Sequence, residues 1–77
     1  MKFRIGKNSK GFFAEYKKNL FSPWLTFVEM GENDFILQGP YAQAIDYFET
    51  KAECEQQIER FKKWYDDEFS NTKYTYL

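Results

Sequence analysis

The chain has 77 residues, 11 basic and 12 acidic, with one cysteine and no histidine. A chain of this length forms one small domain (residues 1–77) and buries only about 60–65 % of its unfolded surface. The missing histidines remove the usual general base near neutral pH and the commonest zinc ligand, and a lone cysteine excludes both an internal disulfide and a zinc cluster.

Residues 2–17 read as a β-hairpin. Phe3 and Ile5 alternate with Lys2 and Arg4, the period of two of a half-buried strand. Lys7, Asn8, Ser9, Lys10 and Gly11 supply turn chemistry, with Asn8 and Gly11 suited to positive φ. On the returning strand Phe12, Ala14 and Tyr16 share the core face, and Phe13, Glu15 and Lys17 point outward. Residues 18–23 are a connection closed by Pro23, which has no N–H for a ladder, so the next strand begins at Trp24.

Two further strands are expected near 24–29 and 35–38, separated by a turn at Gly31. Both are apolar on both faces, as central or doubly covered strands are. In the alternation Leu25, Phe27 and Ile36 are set against Trp24, Val28, Phe35 and Leu37. Residues 41–48 permit either a short helical turn or a brief pairing of Tyr47 and Phe48 with the sheet.

A helix is expected at 51–69. Thr50 followed by Glu53 is a capping box. Cys54, Ile58, Phe61, Tyr65 and Phe69 then recur on one stripe, with Trp64 on its flank. The opposite side carries Glu55, Glu59, Lys62, Lys63, Asp66 and Asp67. Asp66, Asp67 and Glu68 oppose the helix dipole at the C-terminal end, which predicts an exposed, fraying last turn. Residues 72–77 alternate and are rich in β-formers, giving a terminal strand or an unstructured end. Together these elements predict a two-layer α+β domain: an antiparallel sheet of three to four strands packed on one C-terminal helix. One helix covers one sheet face, so the other must be covered by residues 41–48, the tail, a second copy or a partner.

Nothing in the sequence matches a catalytic, phosphate-cradling or metal motif, and no cofactor is expected. The carboxylate groupings, Asp66 with Asp67 and Glu68, and Glu32 with Asp34, read as solvated surface. The expectation is a non-enzymatic protein. The opening residues are charged and alternate, unlike a signal peptide, and no apolar run is long enough to span a membrane. A reducing, cytoplasmic setting without membrane attachment is therefore expected. Charge is unevenly placed: residues 1–18 hold six basic groups and one acidic, residues 19–77 five basic and eleven acidic.

Seventeen aromatic residues (nine Phe, six Tyr, two Trp) are a heavy load for one small core. Aromatic residues dominate interface energies. A protein-binding module is thus the leading expectation, with Trp24, Leu25, Phe27, Ile36, Trp64, Asp66, Asp67, Glu68, Tyr74 and Tyr76 as candidate partner-binding residues. Self-association into a homodimer through the uncovered sheet face is the companion expectation. The alternative is a nucleic-acid or nucleotide binder using Lys2, Arg4, Phe13, Lys17 and Lys18 of the basic hairpin. A further reading, in which the helix acids imitate a phosphate backbone, is weakened by Arg60, Lys62 and Lys63 among them.

The layout resembles that of very small proteins encoded by bacteriophages and prophages. A strand directly follows Met1, a middle strand carries Trp24, and Phe48, Thr50 and Glu53 form an F-x-T-x-x-E pattern before the helix. This resemblance implies an inhibitor that occludes a surface on a host protein, such as a component of antiviral defence. It transfers no site residue.

Overall fold

The structure, a computed structural model, describes residues 1–31, 34–39 and 44–70. It is an α+β arrangement of two small antiparallel sheets and one helix: β1 (Lys2–Asn8), β2 (Gly11–Lys17), β3 (Phe27–Glu29), β4 (Phe35–Leu37) and α1 (Lys51–Tyr65), which runs into one π-helical turn, Asp66–Ser70.

The hairpin forms as its alternation requires, in a register that pairs Lys2 with Lys17, Ile5 with Ala14 and Asn8 with Gly11. Its turn is fixed by two local devices. The Asn8 side-chain oxygen accepts from the Lys10 N–H at 2.8 Å. Gly11 adopts φ +132°, and a Cβ there would meet the Phe48 carbonyl oxygen at 2.5 Å. Only glycine meets both demands.

One sheet of three to four strands was the sequence expectation, but the ladder is divided. The chain at Leu25 pairs with Tyr16 on β2, through two backbone hydrogen bonds of 2.8 Å. Further along β2, Phe12 is instead paired with Phe48, again by two bonds of 2.8 Å. The approach to Phe48 thus takes the edge that a continuous third strand would have used. β3 leaves β2 at this point and pairs with β4, Val28 opposite Ile36.

Asp46 closes the resulting wedge. Thr26 and Met30 bond toward the β4 side, through the Gln38 N–H and the Asp34 carbonyl, so odd-numbered residues of this strand present their backbone to the other edge. Leu25 finds Tyr16 there. At Glu29 the partner is a side chain: its N–H donates to Asp46 Oδ2 at 2.9 Å. The same oxygen accepts from Gln57 Nε2 of α1 at 2.8 Å. One carboxylate oxygen thus joins β3, the pre-helix segment and the helix. Gln57, only 1 % exposed, is a buried polar residue that the helical stripe did not announce.

The helix starts where the capping box places it. The Glu53 N–H donates to Thr50 Oγ1 at 3.2 Å, and the Thr50 hydroxyl donates to Glu53 Oε1 at 3.0 Å. Cys54, Ile58 and Phe61 are buried against the sheets. Phe61 is the centre of the core. Its ring stacks on Phe27 with centroids 4.0 Å apart and planes at 15°, and meets Tyr16 at 5.1 Å and Phe35 at 5.4 Å. Such ring pairs add about 0.5–1.5 kcal/mol each beyond area burial.

The acidic end is exposed, as expected, but it is wound as a π turn rather than frayed. The Asp66 N–H is shared between the Lys62 and Lys63 carbonyls. Residues five apart lie about 140° apart on an α-helix. The wider i→i+5 winding instead brings Phe69 edge-on to Trp64 at 5.9 Å, and Phe69 also meets Tyr65 at 4.5 Å. Phe69 keeps these two apolar neighbours and is still 52 % exposed. The expected strand at 72–77 lies outside the described residues.

Candidate binding surface

The register sorts the sheet residues into two faces. The inner face, against the helix, holds Phe3, Ile5, Phe12, Ala14, Tyr16, Leu25, Phe27, Phe35 and Leu37. The outer face of the hairpin holds Lys2, Arg4, Phe13, Glu15 and Lys17. Trp24 and Tyr47, each one residue before an inward-facing position, join it. Arg4 sits with its guanidinium 4.2 Å above the Trp24 ring centroid, and Lys17 Nζ is 5.6 Å from the same ring. Arg4 Nε also donates to Glu15 Oε1 at 2.8 Å. At the other end Phe13 meets Tyr47 edge-on at 5.9 Å, with Lys10 Nζ 5.7 Å from the Tyr47 ring. A Cβ at Gly6 would collide with the tip of the Phe13 ring, so a bare backbone is what lets that ring lie across β1.

The candidate partner-binding residues are not gathered on one surface, although Trp64, Asp67 and Glu68 line one cleft. Phe27 is a core residue, removed from any surface by its stacking on Phe61. Leu25 is half-buried and packs against the core, as does Trp64. Ile36 does not share a face with Phe27: opposite Val28 in the register, it turns outward and is 48 % exposed. Asp66, Asp67 and Glu68 are exposed at the far end of the helix; Asp67 and Glu68 line the cleft with Arg60, Lys63 and Trp64, and Asp66 lines a second one with Lys18, Lys62 and Tyr65. Tyr74 and Tyr76 lie outside the described residues. Of the hairpin residues, Lys2, Arg4, Phe13 and Lys17 do gather on one face. Lys18 sits apart, lining a cleft with Phe3, Lys62 and Tyr65.

Among the described residues, the most exposed apolar side chains belong to what the sequence presents as a mere connection. Leu20 is 72 % and Phe21 92 % exposed. Their turn is nevertheless well tied. The Asn19 side-chain oxygen accepts from the Phe21 N–H at 3.0 Å, and Ser22 Oγ accepts from the Asn19 N–H at 3.0 Å. The Asn19 carbonyl accepts from both the Ser22 N–H, at 3.2 Å, and its hydroxyl, at 3.0 Å. The sequence signal was available: an apolar pair held between Asn and Ser, two residues that close turns through their own side chains.

Among the described residues, no group of Cys, Asp and Glu is placed to hold a metal ion, and no helix is long and apolar enough to cross a membrane. The titratable side chains of the core are held neutral. Burial raises the Cys54 thiol, with Glu55 adding to the effect. It likewise raises the Tyr16 hydroxyl, with Tyr65 adding. Both groups are fully buried in the core. No protein-family model, curated protein or solved structure matches this chain.

Proposed function

We propose that the protein is a non-enzymatic binding module that occludes a surface on another protein, with the turn at residues 19–22 as its anchor. The observation that carries this reading is Phe21: almost fully exposed, yet on a turn whose hydrogen bonds hold it in place. The hydrogen bonds fix the backbone that carries the ring, so docking orders only the side chain, and aromatic rings fill the central pockets of interfaces. Lys17 and Lys18 precede the turn, and no acidic residue lies between Glu15 and Glu29. The partner surface that fits is an apolar pocket with an acidic rim.

The layout shared with small phage-encoded proteins supports an inhibitor of a host protein. Self-association is the competing use of the same anchor, and light scattering separates the two. The decisive experiment is capture from a bacterial lysate with the immobilised protein, in parallel with Phe21→Ala, after nuclease treatment. The expected result is one captured protein that rebinds when purified and is lost at least tenfold with Phe21→Ala. Capture that Phe21→Ala leaves unchanged, or that nuclease abolishes, overturns the reading.

A further inference from the structure

We infer that the outer face of the β1 and β2 hairpin, with Trp24 and Tyr47 at its edge, is a binding site for single-stranded nucleic acid. This is a second surface, and it does not depend on the Phe21 anchor.

Charge is the first reason. Lys2, Arg4, Lys10 and Lys17 stand on or beside this face against one acid, Glu15, whose charge is already spent on Arg4. Of the helix acids, Glu55 and Glu59 line a cleft that Arg4 reaches at the β1 edge, where Lys51 and Lys62 stand beside them, and no other acidic side chain belongs to the hairpin. The face is therefore cationic in a protein whose net charge is −1. A row of phosphates is its complement.

Flat π surfaces are the second reason, and they separate this ligand from an acidic protein. The Arg4 guanidinium carbon lies 4.2 Å from the Trp24 ring centroid and the residue remains exposed, so the guanidinium is held against the indole and open to solvent. Bases stack on guanidinium planes as they do on rings. The pair of Phe13 and Tyr47 makes a second platform. The Leu25–Tyr16 pair sets Trp24 level with Lys17 and the Phe48–Phe12 pair sets Tyr47 level with Phe13, four residues away on β2, so Trp24 and Tyr47 stand about 13 Å apart. Lysines flank each platform: Lys2 and Lys17 at one, Lys10 at the other. Alternating cations and stacking surfaces along a sheet suit a strand whose bases are unpaired and splayed. A duplex keeps its bases stacked on one another and presents only its backbone.

The test is fluorescence anisotropy with a labelled oligo(dT) of roughly 15 nucleotides. Three lysine contacts predict that log affinity falls against log salt with a slope of about −2, and that Lys17→Gln makes it shallower by about 0.7. Arg4→Lys keeps the charge and removes the plane. It is expected to weaken binding roughly tenfold at unchanged slope. Lys63→Gln, the same charge change on the helix, leaves affinity unaltered. Far-UV circular dichroism and melting confirm that each variant is folded, and Lys2→Gln, at an exposed edge position, repeats the Lys17 test independently. Absence of binding at low salt overturns the inference. So does equal loss with Lys63→Gln, or a duplex of the same sequence bound as tightly as the single strand.

Discussion

Asp46→Ala removes the acceptor that joins β3 to the helix. One oxygen, Oδ2, takes hydrogen bonds from the Glu29 N–H at 2.9 Å and from Gln57 Nε2 at 2.8 Å. Hydrogen bonds to a charged acceptor contribute about 1.5–3 kcal/mol each, and a buried donor left unpaired costs about 1–3 kcal/mol. Gln57, being buried, cannot turn to water without moving the helix. The expected loss is about 3–5 kcal/mol. That is a large part of the roughly 4–12 kcal/mol that a domain of this size has in total. Asp46→Asn keeps a carbonyl oxygen that can occupy the Oδ2 position and accept both bonds, so only the charge assistance goes and the loss falls to about 1–2 kcal/mol. Gln57→Leu removes one donor and leaves the other bond intact, and its cost lies below that of Asp46→Ala. Urea unfolding, followed by far-UV circular dichroism and by tryptophan fluorescence, measures all three. Equal losses for Asp46→Ala and Asp46→Asn would refute the reasoning, as would a loss below about 1 kcal/mol for Asp46→Ala.

Two glycines with positive φ should respond differently to alanine. Gly11→Ala forces a Cβ onto the Phe48 carbonyl and should lower the melting temperature by more than about 8 °C, whereas Gly31→Ala, with φ +63° and open space around it, should cost only about 1 kcal/mol, or 4–8 °C. Tyr16 and Cys54 have folded-state pKa values raised by burial, so the unfolded chain gives up these protons first. Their contribution is complete below the unfolded values, near 9 for Cys54 and 10 for Tyr16, and is lost as pH rises through the folded ones. Stability measured by urea titration should decline above about pH 9, and Tyr16→Phe should blunt the upper part of that decline. The Tyr16 hydroxyl has no hydrogen-bond partner among the described residues. Tyr16→Phe should therefore be neutral or stabilising at pH 7, and a loss above about 1 kcal/mol would show a partner that the structure does not contain. Phe21→Ala, which removes no packing, should change stability by less than about 0.5 kcal/mol by the same measurement.

Local chemistry was legible in the sequence, and long-range pairing was not. The hairpin and its faces follow from the alternation of Phe12, Ala14 and Tyr16 against Phe13, Glu15 and Lys17. The helix start follows from Thr50 and Glu53. Phe27 and Ile36 were grouped together because alternation within each strand says nothing of the register between strands. The division of the sheet depends on Phe48 meeting Phe12, thirty-six residues away in sequence. That choice is made by tertiary packing and by the Asp46 carboxylate. Gln57 was hidden because its polarity is satisfied by a residue that no helical period contains. The basic surface residues were legible as a set, since Lys2, Arg4, Phe13 and Lys17 all obey the hairpin alternation. Their aromatic companions were not. Trp24 and Tyr47 reach that face only through the two isolated pairings at Leu25 and Phe48. Phe21 carries no periodic signal, since it lies in a connection between strands.

The π turn at Asp66–Ser70 has a consequence for chain length. A π turn takes up one residue more than the α-helical ladder does. Deletion of Asp67 would restore α winding and place the phenylalanine seven residues after Phe61, within about 20° of it around the helix axis. The ring would then follow the helical period of Phe61 instead of meeting Trp64 edge-on, and the acidic run would shorten to two. The end of this helix is thus a place where one residue more or less changes which side chains the terminal ring packs on. Its surface properties are set by the count of residues as much as by their kind.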